Sequence, residues 1–248
     1  MTTNRFPLEI CLNTVNDDQL IADVSAAYKA GASTIELCSR LDLDGLSPAV
    51  SDIVLARKHF GERPGLMVMI RPQAGDFFAE GNAVNEMCEE IHRAATAGAD
   101  GVVFGLLNKA QNEIDMKSCL KLSQAAQKNN LKITFHRAFE ALKDLSKGVD
   151  QLIDLGVDRL LYSGLIWGQP GTAAQGLENL IRVSELINNR FVLLVGGGVN
   201  VENAAVIISG IPSHYHNSLS FHAHSGAKSN GAFSVDSVKQ LMDAIIIN

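Results

Sequence analysis

Short apolar segments alternate with helical segments from one end of the sequence to the other, and no other feature restricts the fold so strongly. The segments that predict strands begin 26 to 36 residues apart. Such alternation is typical of parallel strands joined by helical crossovers. The predicted strands are residues 8–13, 34–39, 65–72, 101–107, 132–138, 159–164, 190–197 and 219–225, and the predicted helices are residues 17–30, 48–60, 82–97, 116–129, 145–155, 176–188, 201–209 and 235–247.

Eight units at this spacing favour a closed (β/α)8 TIM barrel over an open doubly wound sheet. Such a barrel commonly needs about 250 residues, and the chain has 248, of which 46% are hydrophobic. No linker, low-complexity tract or change in composition divides the sequence, so we expect residues 1–248 to form a single domain. Within it, Ser47 and Pro48 predict the cap and the first position of the second helix.

Composition excludes several classes of partner. The net charge is -6 and no basic run is present, which argues against nucleic acids and anionic membrane surfaces. The N-terminus lacks the apolar core of a signal peptide, and no apolar run reaches the length of a membrane helix. We therefore expect a cytoplasmic protein with no nucleotide cofactor and with four reduced cysteines, Cys11, Cys38, Cys88 and Cys119.

The alternation of side chains along each strand predicts which of them point into the barrel. Arg137 has the opposite parity to its neighbour His136, so we expect it to face the helices. The polar and sulfur-bearing residues expected inside are Glu9, Cys11, Asn13, Glu36, Cys38, Arg71, Thr134, His136, Ser163, His222 and His224.

Charged groups inside a barrel are costly unless they are paired or used. One interpretation is a ligand site at the C-terminal mouth of the barrel, where this fold places its active sites. The alternative is a buried network in which Glu9 and Glu36 pair with Arg71 or a histidine and only stabilise the fold. Both remain open at the level of sequence.

An enzymatic hypothesis assigns these groups to a small anionic, possibly phosphorylated, molecule. The turn Gly196, Gly197 and Gly198 after the seventh strand lets backbone N–H groups approach an anion. His136, aided by Glu36 or Glu9, is the candidate general acid or base, because imidazole titrates near neutral pH. The groups expected to hold the anion are Arg71, Ser163, Gly196, Gly197, Gly198, His222 and His224.

A metal-binding hypothesis rests on two cysteines. Cys11 and Cys38 each follow a glutamate by two residues in neighbouring strands, so we expect them to lie level with each other. Two thiolates, joined by His224 or His136, suit Cu(I) or Zn²⁺. An interior cysteine also serves as a small apolar residue, which is the structural alternative.

The same residues resemble the CutC family. The motifs that carry the resemblance run from about residue 8 to residue 226 and are Leu8-Glu-Ile-Cys11, Ile35-Glu-Leu-Cys38, Gly45-Leu-Ser-Pro48, Met69-Ile-Arg-Pro72 with Gly75-Asp-Phe77, Thr134-Phe-His-Arg-Ala-Phe139, Gly156-Val-Asp-Arg159 with Ser163-Gly164, and Gly196-Gly-Gly-Val199. The resemblance implies a cytoplasmic TIM barrel of copper homeostasis that forms homo-oligomers. It also implies copper as the bound metal, with Cys11 and Cys38 at the matching thiol positions.

Three departures from the family pattern concern the predicted mouth. Gln73 and Ala74 replace the usual arginine and glycine, and His224 stands where serine is usual. A longer loop, residues 165–171, follows the sixth strand and carries the only tryptophan. These changes bear on which ligand or metal the site prefers and leave the predicted fold unaffected.

Overall fold

A computed structural model describes residues 5–246 and contains a closed barrel of eight parallel strands, which confirms the predicted fold. Each strand pairs with its neighbours in chain order, and the first strand closes the barrel against the eighth. The strands are β1 (Leu8–Asn13), β2 (Thr34–Cys38), β3 (Leu66–Met69), β4 (Gly101–Phe104), β5 (Lys132–Phe135), β6 (Arg159–Tyr162), β7 (Val192–Val195) and β8 (Leu219–Ala223).

Helices follow the strands and cover the outside of the barrel. None of them, within residues 5–246, has the length and apolar character needed to cross a membrane. They are α1 (Asp17–Ala30), α2 (Val50–Phe60), α3 (Asn82–Thr96), α4 (Met116–Lys128), α5 (Leu145–Asp154), α6 (Leu177–Ile187), α7 (Ala204–Gly210) and α8 (Val235–Ala244). A short hairpin of β9 (Lys228–Ser229) and β10 (Ala232–Phe233), which the sequence did not predict, precedes α8.

Two separate groups of buried apolar side chains follow from strand alternation. Leu8, Ile10 and Leu12 of β1 point outward into the large cluster between strands and helices. Inside the barrel the apolar cluster is much smaller and consists of Cys11, Cys38, Met67, Met69 and Val103, with Leu41 packed against it. The barrel interior is therefore shared with polar groups, unlike the branched apolar filling usual for this fold.

Capping side chains explain several helix boundaries. Asn16, Asp115 and Asp144 each accept a hydrogen bond from a backbone N–H in the first turn of α1, α4 and α5. The predicted cap Ser47 is wrong, because α2 begins only at Val50. Ser47 instead accepts a hydrogen bond from the backbone N–H of Arg71, and so it helps to fix the chain next to the mouth.

Several predicted segments extend too far. The strand predicted over 132–138 ends at Phe135, because His136 Nδ1 accepts a hydrogen bond from Ala138 N and the chain turns into a 3₁₀ helix, Arg137–Ala141. The helix predicted from residue 201 begins at Ala204. The predicted end of the last helix, residue 247, lies outside the described residues.

Candidate functional site

The middle of the barrel contains a network centred on Glu9, which is fully buried. Its Oε2 accepts a hydrogen bond from Thr34 Oγ1 at 2.8 Å and lies 2.7 Å from Nη2 of Arg159. Arg159 Nε in turn donates to Thr134 Oγ1 at 2.9 Å. Burial raises the pKa of Glu9, but the opposing effects of Arg159 and His222 are together larger and hold it at about 2. Glu9 is therefore an ionised carboxylate deep inside the protein.

His222 connects this network to the cavity above it. Its Nδ1 lies 3.0 Å from Glu9 Oε1, and its Nε2 lies 3.6 Å from Glu36 Oε2. Burial raises the pKa of Glu36 well above its ordinary value, and the neighbouring Cys11 adds to this effect. Glu36 Oε1 is buried and has no hydrogen-bond partner among the described residues. The two carboxylates thus have different environments although both contact the same imidazole.

Cys11 and Cys38 lie together on the floor of the cavity, where they are 4% and 1% exposed. The strand register is not the one expected, because Cys11 pairs with Glu36 and Cys38 pairs with Asn13. The two cysteines are diagonal neighbours rather than level ones. Contact with Cys38 lowers the pKa of Cys11 well below its ordinary value, and contact with Cys11 raises that of Cys38. Of the two thiols, Cys11 is therefore the one that ionises more readily.

A cavity of about 260 Å³ opens at the C-terminal end of the strands. The cysteines, Glu36 and His222 form its floor, and charged, aromatic and glycine residues surround its opening. The residues around the opening include Asp44, Arg71, Phe77, His136, Arg137, Trp167, Gly197, Gly198, His224, Ser225 and Gly226. The cavity thus lies where this fold carries its active sites.

Arg71 brings a positive charge to the opening and is only 6% exposed. Its guanidinium donates to the carbonyl oxygens of Leu43, Gly45 and Gly75. These carbonyls fix its position but do not neutralise it, and no ion pair of Arg71 occurs within residues 5–246. Its Nε has no hydrogen-bond partner in the same part of the chain. Asp44 lines the same cavity and acts on Arg71 without forming an ion pair, so the charge of Arg71 is only partly offset and can attract an anion.

His136 faces the same cavity as a neutral imidazole. Burial, with the charge of Arg71, lowers its pKa to about 3. Because Nδ1 accepts from Ala138 N, the ring proton belongs on Nε2. The carboxylates expected to assist His136, Glu9 and Glu36, contact His222 instead. His136 can donate a hydrogen bond to a ligand, and the acid–base pairing expected from the sequence is not the one observed.

The remaining residues expected at the mouth divide into two groups. Gly197, Gly198 and His224 line the cavity, and both glycines have positive φ. Glu9, Ser163 and Gly196 do not line it. Ser163 is fully buried, and its Oγ accepts from the backbone N–H of Leu165.

Sequence reasoning missed two arginines. Arg137 was expected to face the helices but lines the cavity, because alternation no longer applies once β5 has ended at Phe135. Its Nε and Nη2 donate to Glu140 at 2.8 and 2.9 Å, and its guanidinium lies 5.6 Å from the Trp167 ring. Arg159, the partner of Glu9, has the same parity as Ser163 on β6, and this parity was the available signal.

Comparison with known proteins agrees with the resemblance seen in the sequence. Residues 6–220 match the model of the CutC family. A family protein CutC of Pasteurella multocida is 36% identical over 201 residues, covering 81% of this chain and 76% of the relative. One from Bacteroides fragilis is 38% identical over 195 residues, covering 79% and 72%.

Solved structures give the same result. A protein of Streptococcus agalactiae, provisionally described as the copper homeostasis protein CutC, superposes with a TM-score of 0.75 at 29% identity, covering 88% of this chain and 99% of that one. The 3-keto-L-gulonate-6-phosphate decarboxylase of Vibrio cholerae superposes with a TM-score of 0.62 at 15% identity, covering 98% and 99%. At that identity the second likeness concerns the barrel fold alone.

Proposed function

The chain belongs to the CutC family, and from this membership and the floor of the cavity we propose that it binds Cu(I) through Cys11 and Cys38 as part of copper homeostasis. The observation that carries the proposal is the contact between two buried thiols at the base of an open cavity. Thiolates are the protein ligands that Cu(I) prefers. The lowered pKa of Cys11 favours the thiolate form that binds the metal.

The cavity gives the ion a route to these thiols. Both cysteines belong to the wall of the cavity although they are almost fully buried. Met67, Met69 and Val103 lie beside them in the interior cluster and give the pair apolar, partly polarizable surroundings. A buried two-thiol site of this kind keeps Cu(I) away from bulk water, which suits a protein that stores or transfers the ion.

Titration of Cu(I) against a competing colorimetric chelator, under reducing and anaerobic conditions, tests this proposal. We expect one Cu(I) per wild-type chain and a loss of affinity greater than about 100-fold in Cys11→Ser and Cys38→Ser, beyond the 10–100-fold typical of outer-shell changes. Cys88→Ser is the matched control, since Cys88 lies on α3 outside the cavity. Wild-type affinity in the Cys11/Cys38 double variant would refute the proposal.

A second candidate function is an enzyme that acts on a small anionic molecule. The observation that favours it is Arg71, which the described residues leave without an ion pair, beside a cavity of about 260 Å³, far more space than one metal ion fills. Neutral His136 and the positive-φ glycines, Gly197 and Gly198, line the same space. Small phosphorylated or carboxylated molecules fit this combination of charge and volume.

Thermal unfolding in the presence of a panel of small phosphates and carboxylates tests the second candidate. We expect at least one of them to raise the melting temperature of the wild-type chain but not of Arg71→Lys. Lysine lacks the planar guanidinium group, which in Arg71 three backbone carbonyls hold in position. Arg40→Lys is the control, since Arg40 pairs with Asp42 on the surface. Equal stabilisation of wild type and Arg71→Lys would exclude Arg71 as the anion-binding group.

Three further parts of the proposal rest on family membership and composition. We propose that residues 1–248 form one domain, that the protein acts in the cytoplasm, and that it forms homo-oligomers without nucleic-acid or membrane partners. Light scattering after size-exclusion chromatography measures the oligomeric state. A monomer at micromolar concentration would contradict the homo-oligomer, and two separate unfolding transitions would contradict the single domain.

A further inference from the structure

The orientation of His222 is that of a metal ligand. Its Nδ1 lies 3.0 Å from Glu9 Oε1, so the carboxylate accepts the Nδ1–H and fixes the ring. Histidines that bind metals commonly donate their other N–H to a carboxylate in this way. The Nε2 atom faces the cavity side, where Glu36 Oε2 lies 3.6 Å away, too far for a good hydrogen bond. Burial lowers the pKa of His222, but contacts with Cys11 and Glu9 outweigh it and raise this pKa well above its ordinary value, so a bound metal ion would displace the Nε2 proton.

Three different donor atoms converge at this point. Cys11 Sγ, a carboxylate oxygen of Glu36 and a ring nitrogen of His222 all lie within 4.8 Å of one another. Ligands bound tetrahedrally to one ion at about 2.0–2.3 Å lie about 3.3–3.8 Å apart, so modest side-chain adjustment would bring these donors to one ion. Strand register produces the convergence, because Cys11 pairs with Glu36 across β1 and β2 while Glu9 pairs with His222 across β1 and β8.

Glu36 supplies an independent observation. It is 2% exposed, it lines the cavity, and its Oε1 has no hydrogen-bond partner among residues 5–246. An unpartnered carboxylate oxygen in such a place is costly unless a ligand satisfies it. A cation bound beside Cys11 and His222 would satisfy Glu36.

We propose that Cys11, Glu36 and His222 form a binding site for a divalent cation of the Zn²⁺ type. This site shares only Cys11 with the proposed Cu(I) site. The proposal does not depend on Cu(I) binding, because only Cys11 is common to both sets. Sharing Cys11 makes the two metals mutually exclusive. Glu9 is a positioning residue that holds His222 and does not touch the metal.

The donor set selects the class of metal. One sulfur, one nitrogen and one oxygen suit Zn²⁺ and Co²⁺, whereas Mg²⁺ and Ca²⁺ take oxygen ligands. Once metal binding has displaced their protons, the Cys11 thiolate and the Glu36 carboxylate would balance the charge of a dication in a buried place. Cu(I), by contrast, would use Cys11 with Cys38 and would not need Glu36.

The proposed ion would keep one coordination position for a ligand. Three protein ligands with an open fourth position are typical of catalytic zinc sites, whereas structural sites are closed by four. All three ligands line the cavity that Arg71 also lines. An anionic oxygen could therefore reach the metal while the guanidinium holds a second part of the same molecule.

Cobalt is the probe, because Co²⁺ occupies zinc sites and absorbs visible light. The metal-free wild-type chain is titrated with Co²⁺ and followed by its d–d bands and its thiolate-to-cobalt charge-transfer band. We expect one Co²⁺ per chain and an affinity at least about 100-fold lower in Cys11→Ser, Glu36→Gln and His222→Gln, which exceeds an outer-shell effect. His214→Gln, on an exposed 3₁₀ segment, is the matched control and should bind as wild type does.

Cys38→Ser separates this proposal from the Cu(I) proposal. We expect Cys38→Ser to keep the cobalt spectrum and to lose Cu(I) affinity, and His222→Gln to do the reverse. Loss of both metals in Cys38→Ser, with Co²⁺ bound normally by His222→Gln, would overturn the mixed site and leave the two-thiol site standing. Failure of wild type to bind Co²⁺ or Zn²⁺ would also overturn it.

A measurement on the wild-type chain covers the case in which the buried variants fail to fold. X-ray absorption at the zinc edge of the Zn²⁺-loaded protein counts sulfur ligands directly. We expect one sulfur at about 2.3 Å and nitrogen or oxygen ligands at about 2.0 Å. Two sulfur ligands would overturn the assignment, because they would mean that Cys38 replaces Glu36 or His222.

Discussion

The Arg159→Met substitution removes the only arginine that pairs with the buried carboxylate of Glu9 in the part of the chain described. Arg159 Nη2 lies 2.7 Å from Glu9 Oε2, and the side chains of the two residues are 12% and 1% exposed. Methionine keeps much of the apolar stem of arginine but leaves Glu9 with Thr34 and His222 as its remaining partners. The expected result is a large loss of stability at neutral pH.

The pKa of Glu9 sets the size of that loss. Its value falls from 4.5 to about 2 in the folded protein, and Arg159 is the largest cause of the lowering. At about 1.4 kcal/mol per pH unit, this shift corresponds to roughly 3 kcal/mol. Breaking a buried pair by removing one partner typically costs about 3–5 kcal/mol. Because His222 still contacts Glu9, we expect the lower end, about 3 kcal/mol.

The pH dependence of stability differs between the two proteins. In wild type, the contribution of Glu9 is complete above pH 4.5 and is lost as the pH falls toward 2. In Arg159→Met, loss of the guanidinium removes the largest influence that lowers the pKa of Glu9, so the folded pKa of Glu9 rises. The folded variant then keeps its proton to a higher pH than folded wild type does, so the difference in stability between the two proteins grows as the pH rises. The difference between the proteins is therefore greater at pH 7 than near pH 4.5.

Urea unfolding followed by circular dichroism at both pH values measures these free energies. The Glu9→Gln/Arg159→Met double variant should recover most of the lost stability, because a neutral amide replaces the carboxylate that has lost its arginine partner. Lys132→Met is the control for removing an ion pair with Asp158, and its cost should stay below about 1 kcal/mol because Lys132 is exposed. A cost of Arg159→Met that is under about 1 kcal/mol, or equal at both pH values, would refute the reasoning.

Three further predictions concern groups around the cavity and the helix layer. Gly105→Ala would place a Cβ 2.7 Å from His136 Nδ1 and should lower the free energy of unfolding in urea by about 1–3 kcal/mol, as overpacking does. An unchanged free energy of unfolding would mean that the His136 ring moves freely. The pKa of His136 is about 3 in the folded protein, so its stabilising contribution is complete above pH 6.5 and declines as the pH falls below 6.5. The NMR signals of its ring should stay constant between about pH 5 and 8. A titration midpoint near pH 6.5 would contradict this prediction. Burial raises the pKa of Cys119 to about 12, so mass spectrometry should find that iodoacetamide modifies Cys88, which is less buried, before Cys119 in the native protein. Equal rates for these two cysteines would contradict the burial argument.

Strand alternation predicted the fold and the inward direction of most site residues, since a period of two depends on the chain alone. It placed Glu9, Cys11 and Glu36 inside the barrel, and the structure agrees. It failed at Arg137, where the strand had already ended. The sequence offers no sign of that end, because it results from a side-chain hydrogen bond of His136 to the backbone of Ala138.

Register is the second property that the sequence does not contain. The matching motifs around Cys11 and Cys38 suggested that the cysteines lie level, but the stagger of the barrel pairs Cys11 with Glu36. This offset of two residues changes the chemistry expected at the floor. Level cysteines would form a purely soft metal site, whereas the observed register sets a carboxylate beside one thiol and leaves the other thiol diagonal to it.

The first strand therefore decides which chemistry the cavity can perform. From β1, Glu9 fixes His222 on one neighbouring strand, and Cys11 contacts Glu36 and Cys38 on the other. Because Cys11 belongs to both ligand sets, occupation of the two-thiol site removes the sulfur that the mixed site needs. Copper would then act on this protein as cargo and also as an inhibitor of any chemistry that a divalent ion supports there. The proposed copper site and the proposed enzymatic use of the barrel mouth are therefore compatible, since one thiolate would connect the two.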